Sequence, residues 1–127
     1  MPRQVFFPIP QSKPRGFSPA TKAGRHVFVS GQVAHDGSGK LVGAGDCGAQ
    51  ADQCFKNVGA ALKAAGATMD DVVKITGFLV NAADYDSYAA ARLRAFPGTA
   101  PASSTVIVKA LVRPELLVEV EALAVTA

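Results

Sequence analysis

Two glutamates separated by one residue, Glu119 and Glu121, are the first candidates for chemistry in this chain. They lie in the run Leu116 to Val125, Leu-Leu-Val-Glu-Val-Glu-Ala-Leu-Ala-Val, which reads as a strand. Side chains alternate across a strand, so Leu116, Val118, Val120, Ala122 and Ala124 make one apolar face. Leu117, Glu119, Glu121, Leu123 and Val125 make the other. Such a mixed face meets water, a ligand or another subunit, so a carboxylate on it can take part in catalysis. It can equally hydrogen-bond a neighbouring subunit, and the residues alone leave both readings open.

Other reactive side chains are less suited to chemistry. Cys47 and Cys54 stand seven apart in a helical pattern, a rise of about 10 Å, beyond the roughly 7 Å Cα separation a disulfide spans. Both thiols are expected to stay reduced, with Cys54 acting as a small buried hydrophobe. His26 and His35 fall on a strand and near a turn, and no Cys-x-x-Cys or Cys/His cluster has ligand spacing, so no metal is expected. Gly37-Ser-Gly-Lys40 resembles part of a phosphate loop, but the earlier glycine and the following helix are missing, and a turn is expected. Arg92 and Arg94 close a helix, where cations suit the dipole; either is a reserve candidate for binding an anion.

These residues need elements to position them. Four of the eight prolines fall in residues 1–16, with Val5 to Ile9 expected as a short edge strand. Arg25 to Val33 reads as a strand with Val27, Val29, Gly31 and Val33 on one face and His26, Phe28, Ser30 and Gln32 on the other, so that Ser30 and Gln32 join a polar face. Asp36 to Lys40 turns into a short return strand at Leu41 and Val42. A helix follows from about Cys47 to Ala65, with Asp46 as N-cap and Gly66 just past the end. Its apolar stripe is Ala51, Cys54, Phe55, Val58, Ala61, Leu62 and Ala65, leaving Gln50, Gln53, Lys56, Asn57 and Lys63 outside. Val72 to Asn81 is a β-branched strand; Asp84 opens a second helix that ends near Phe96-Pro97-Gly98; Ser103 to Lys109 is a further strand. Strands, helix, strand, helix and two strands make an α+β fold, a mixed sheet with both helices on one face. Phe28, Phe78, Ile107, Leu117 and Leu123 are expected on the uncovered face, an apolar patch that subunit association would cover.

Composition narrows the function classes. The 127 residues suit one domain, residues 1–127, and nearly half of them are apolar (49%). A net charge of +3 without a run of four or more Lys or Arg implies no nucleic-acid partner. No apolar run reaches the roughly 18 to 20 residues of a membrane span, and the N-terminus lacks an export signal, so a cytoplasmic protein with no membrane partner is expected.

Several stretches together resemble the reactive intermediate deaminase family, Rid or YjgF. They are Val29-Ser30-Gly31-Gln32, the helix end Ala64-Ala65-Gly66, Asp71-Val-Val-Lys-Ile-Thr76 followed by Phe78, and Arg113 to Val125. The resemblance spans nearly the whole chain. It implies a chorismate-mutase-like fold and a homotrimer with a barrel core and small-molecule clefts between subunits. The activity it implies is hydrolysis of imines and enamines such as 2-iminobutanoate, without a cofactor. The family's water-holding glutamate falls on Glu119 and its strand serine on Ser30, followed by Gly31. The resemblance therefore sets Glu119 and Ser30 in one cleft and leaves Glu121 a structural role. A cleft tyrosine appears as Phe17, and a helix position that is asparagine in some members is Ala89. The family arginine that grips the substrate carboxylate follows Pro-Ala; here Pro101-Ala102 precedes Ser103, with Thr105 further along the same strand face.

That departure weakens one interaction in particular. A guanidinium gives a carboxylate two charge-assisted hydrogen bonds of about 1.5 to 3 kcal/mol each, and serine gives one neutral donor. Two functions follow: hydrolysis by Glu119 of an imine or enamine other than 2-iminobutanoate, or a non-catalytic trimer that holds a small ligand with Phe17, Ser103 and Thr105. Ribonuclease or translation-inhibitor activity, names attached to parts of the family, lacks a basic patch to support it.

Overall fold

The computed structural model describes residues 2–9 and 13–127. Its strands are β1 (Gln4–Phe6), β2 (Ala20–Ala23), β3 (His26–Gln32), β4 (Val72–Leu79), β5 (Ala102–Ile107) and β6 (Val118–Val125); its helices are α1 (Cys47–Ala64) and α2 (Tyr85–Ala95). The six strands form one sheet in the order β1-β2-β3-β6-β4-β5. All neighbours are antiparallel except β4 and β5, which run parallel because α2 carries the chain back between them. Both helices cover the same face, and α1 packs on β3, β6 and α2.

The last strand is central, and its alternation is as expected. Val118, Val120, Ala122 and Ala124 are buried under the helices, while Glu119, Leu123 and Val125 are half-buried and Glu121 is exposed. Helix α1 starts where its cap dictates: the Asp46 carboxylate accepts from the Ala49 amide at 3.1 Å. It ends at a C-cap on Ala65, followed by Gly66 with φ of 80°.

Several expectations are corrected. The first strand is shorter than Val5–Ile9 and is paired by β2. Leu41 makes only an isolated bridge to His35 instead of a return strand with Val42. Ile107 pairs in register with the buried Leu79 and so lies on the helix side, where it is 51% exposed at the sheet edge. Leu117 packs against the core. Phe28 and Leu123, opposite one another, do lie on the open face, as does Phe78 opposite Glu119.

Gln32 is displaced by a β-bulge. Val29 pairs with Ala122 and Gln32 with Val120, so three steps along β3 match two along β6, and the extra residue falls at Ser30-Gly31. The insertion shifts the alternation by one, moving Gln32 from the open face to the helix side opposite the buried Val120.

Gln50 is wholly buried instead of outside α1. Its Nε2 donates to the carbonyls of Gly43 (3.2 Å) and Glu115 (3.1 Å), and its Oε1 accepts from the Leu117 amide (2.9 Å). One side chain thus ties the loop before α1 to the entry of β6. Gln50→Leu would leave three backbone groups without partners, and at about 1 kcal/mol per bond it should cost about 2 to 4 kcal/mol in urea unfolding. A loss under about 0.5 kcal/mol, the range of an ordinary surface change, would show that water replaces these bonds.

Candidate functional site

The residues singled out from sequence fall into two groups on opposite sides of the sheet. The first surrounds Glu119 on the open face. The bulge presents Gly31 to that carboxylate: a Cβ built on Gly31 would lie 2.7 Å from Glu119 Cδ and overlap one carboxylate oxygen. A glycine is therefore what lets the carboxylate rest against β3. No side-chain hydrogen bond or ion pair reaches the Glu119 carboxylate among the described residues. Burial pushes its carboxyl above the usual glutamate range, and the charge of Glu121 adds to the shift. A carboxylate with a raised proton affinity and no internal donor is suited to take a proton from water.

Ser30 is held differently. Its hydroxyl donates to the Ser18 carbonyl at 2.6 Å and its amide to the Pro19 carbonyl at 2.9 Å, fastening β3 to the segment that carries Phe17. Ser30 lines an open-face hollow of 250 Å³ with Phe28, Lys74, Thr76 and Glu121. Within one chain, then, Ser30 shares its hollow with Glu121 and Glu119 rests on Gly31. Phe17, 58% exposed, joins Gly31 in a second groove of 540 Å³, walled by Gln53, Lys56 and Asn57 of α1. Asn57 fixes that wall by donating to the carbonyls of Val33 (2.9 Å) and His35 (2.8 Å).

The second group lies on the helix side, at the β5 edge. Ser103 pairs in register with Ile75 and Thr105 with Gly77, both buried. Over this edge lies α2, with Tyr85, Tyr88, Ala89 and Arg92 at three- and four-residue steps on one face. Arg92 donates through Nη1 to Ser103 Oγ (3.2 Å) and through Nη2 to the Tyr85 hydroxyl (3.1 Å). Its guanidinium carbon lies 5.7 Å from the Tyr85 ring centroid and 5.5 Å from that of Tyr88. Arg94, the other reserve cation, is taken up by Asp52 through two bonds of 3.1 Å.

Tyr88 escaped the sequence analysis, although its spacing from Tyr85 and Arg92 marks a shared helical face. It is fully buried, its hydroxyl has no hydrogen-bond partner, and its ring is packed over Gly77. Burial raises its phenol against the opposing charge of Arg92. Both thiols are also shifted upwards by burial, Cys47 to about 11 with help from Asp84 and Asp46, and Cys54 further, with help from Glu119. Neither is a thiolate near neutral pH, so neither is a ready nucleophile. Among the described residues no three His, Cys, Asp or Glu side chains converge as metal ligands, and no helix is long and apolar enough to cross a membrane.

Comparison with known proteins gives one family. The model of the family described as endoribonuclease L-PSP matches residues 11–126. A RutC family protein of Pyrococcus horikoshii is 33% identical over 123 residues, 96% of this chain and 97% of its own. RidA from an Antarctic Psychrobacter superposes with a TM-score of 0.81 at 32% identity, covering 87% of this chain and 88% of that one. The Rid-family protein YyfA of Yersinia pestis superposes with a TM-score of 0.90 at 33% identity, covering 98% and 100%.

Proposed function

This chain belongs to the Rid/YjgF family, and on that premise we propose that it hydrolyses an imine or enamine metabolite other than 2-iminobutanoate, without a cofactor. The observation that carries the reading is Glu119, half-buried, raised in proton affinity and free of any donor among the described residues. In the proposed reaction Glu119 orients a water toward the carbon of a C=N bond and takes one of its protons. The new C–O bond gives a carbinolamine. Return of that proton to nitrogen completes the carbinolamine; transfer of its hydroxyl proton to the amine as the C–N bond breaks then releases ammonia and leaves the carbonyl product, so water and imine are converted to ketone or keto acid and ammonia. Ser103 in place of the arginine is what sets 2-iminobutanoate apart.

The site needs a second copy of the chain. Ser30 and Gly31 on β3 stand three strand positions from Ser103 and Thr105 on β5, about 14 Å at ordinary strand spacing, and the two groups face opposite sides. One small molecule cannot touch both within a single chain. A homotrimer that sets the Glu119 group of one subunit beside the Ala89, Ser103 and Thr105 group of the next would bring them together. It would also cover Phe28, Phe78 and Leu123 on the open face.

A panel of enzymatically generated imines, followed for ammonia and carbonyl release with and without protein, tests this reading. At least one imine should be hydrolysed well above background and 2-iminobutanoate barely so. Saturable ligand binding with no imine turned over would favour the non-catalytic trimer, the reading that the loss of the arginine supports. Light scattering that shows a stable monomer at micromolar concentration would remove the shared site altogether.

A further inference from the structure

We infer that Tyr88 is a positioning residue that acts through Thr105: its buried hydroxyl donates to Thr105 Oγ1 when a ligand is present and turns the Thr105 O–H toward a neutral acceptor atom, the nitrogen of a C=N bond or the oxygen of the carbonyl product. Only the identity of that atom rests on the hydrolysis proposed above; the donor itself follows from how Tyr88 is held.

A hydroxyl that is buried and unpaired costs free energy in every folded molecule. Tyr88 is fully buried, and its hydroxyl is the one buried side-chain N or O among the described residues that has no hydrogen-bond partner. A phenylalanine would fill the same core space without that cost. Gly77 is shaped to the hydroxyl in particular. A Cβ there would lie 2.6 Å from Tyr88 Cζ and overlap the oxygen, so β4 gives up a side chain at the one place where the phenol ends.

Thr105 is the outlet from that closed position. It pairs in register with Gly77 on the neighbouring edge strand and faces the same helix side, which sets its hydroxyl beside the phenol, close enough to influence the phenol's proton affinity. Thr105 is half-buried where Tyr88 is sealed, so it can touch a ligand that Tyr88 cannot reach. The two oxygens make no bond in the free protein, and rotation of Thr105 about its Cα–Cβ bond to another staggered position is the movement that closes one. The direction of donation is fixed by the phenol. Burial raises its proton affinity, so Tyr88 keeps its proton near neutral pH, while the Arg92 guanidinium, 5.5 Å from the ring centroid, polarises the O–H and makes it the better donor. Thr105 Oγ1, once it accepts, still has its own proton to give, and linked hydrogen bonds strengthen one another. Both hydroxyls are neutral, so the pair recognises a neutral atom and makes no demand for a carboxylate.

The phenol itself reports the result without requiring turnover. The chain has two tyrosines, so tyrosine carrying an NMR-active carbon at Cζ gives two signals, which Tyr88→Phe assigns. Cyclohexanone and cyclohexanone oxime, neutral carriers of C=O and C=N, would be titrated into the protein as it assembles, beside methylenecyclohexane, which has the same shape and no acceptor. At least one acceptor probe should bind wild type and move the Tyr88 signal, and methylenecyclohexane should leave that signal in place. Thr105→Val, which keeps the shape and removes the hydroxyl, should abolish the movement, and Thr105→Ser should keep it. Tyr88→Phe should weaken binding of the acceptor probe about three- to tenfold, the worth of one neutral hydrogen bond, and should have no further effect in the Thr105→Val background. A Tyr88 signal that ignores both acceptor probes, moves equally with methylenecyclohexane, or moves in Thr105→Val as in wild type would overturn the pairing and leave the phenol to an internal water. If Thr105→Val fails to fold, unchanged affinity of Tyr88→Phe for the acceptor probes would overturn it as well. Acceptor binding through the pair with no imine hydrolysed would keep the pair and remove the hydrolysis; an imine hydrolysed equally by wild type and Tyr88→Phe, with no probe moving the signal, would do the reverse.

Discussion

Glu119→Gln is expected to abolish imine hydrolysis and, at neutral pH, to make the protein harder to unfold. A positioned general base contributes about 10² to 10⁴ in rate, so the variant should fall by two or more orders of magnitude on whichever imine wild type turns over. The stability gain follows from proton linkage. The Glu119 carboxyl has a higher proton affinity folded than unfolded, because burial and Glu121 both oppose its charge. Between the ordinary glutamate value and the raised folded value the native state binds more protons, so stability falls as pH rises through that window and stays lower above it. Glutamine carries no charge and escapes this loss. Urea melts at pH 8 should therefore show the variant more stable than wild type, and melts near pH 4 should show the difference shrinking. A variant less stable than wild type at pH 8 would mean that a neighbouring subunit supplies the carboxylate with a donor, and that Glu119 is structural. Loss of activity together with a gain in stability is the pattern of a residue kept for chemistry.

Gly77→Ala should be among the most damaging small changes in the chain. Gly77 is buried between Thr105 of β5 and Val120 of β6, and a Cβ there would sit 2.6 Å from Cζ of Tyr88 and closer still to its hydroxyl. Tyr88 cannot retreat easily, since it packs against Phe55 with ring centroids 6.0 Å apart and is fully buried. Overpacking of this kind costs about 1 to 3 kcal/mol, and here it pushes α2 off the sheet, carrying Arg92 away from Ser103. Denaturant unfolding should show the loss directly. Tyr88→Phe alone should be near neutral, because the hydroxyl it removes has no partner. In the double variant it should recover part of the Gly77→Ala loss, since the hydroxyl clash disappears and the ring carbon contact remains. A Gly77→Ala protein as stable as wild type would show that α2 rides loosely on the sheet.

Periodic signals in the sequence translated directly into structure. The alternation from Val118 to Val125 located the central strand and its two faces, and Asp46 and Gly66 bounded α1, because each of these rests on local geometry. The features that escaped depend on partners remote in the chain. Strand β2, Ala-Thr-Lys-Ala, has no β-branched run and exists because β1 and β3 pair with it on either side. The bulge at Ser30-Gly31 shows only in the register against β6, yet it turns Gln32 over and brings Gly31 to Glu119. Gln50 reads as a polar surface residue until the carbonyls of Gly43 and Glu115 are seen around it. Arg92 and Arg94 read alike in the sequence, as two cations closing one helix, and only the fold distinguishes them: one leans on hydroxyls, the other on Asp52.

The strand order also constrains how the chain can fold. Strand β6 pairs with both β3 and β4, joining His26 to Val125 and Val72 to Ala124, and it is synthesised after all the others. Before it emerges from the ribosome, the strands β1-β2-β3 and β4-β5 have no strand between them and can be joined only through the helices, by the packing of α1 on β3 and α2. Val27, Val29, Ile75 and Leu79 then have only part of their core, and the inner edges of both pieces offer unpaired amides and carbonyls to any passing strand. Closing the sheet pairs His26 with Val125 across nearly the whole chain, a long-range contact of the kind that slows folding.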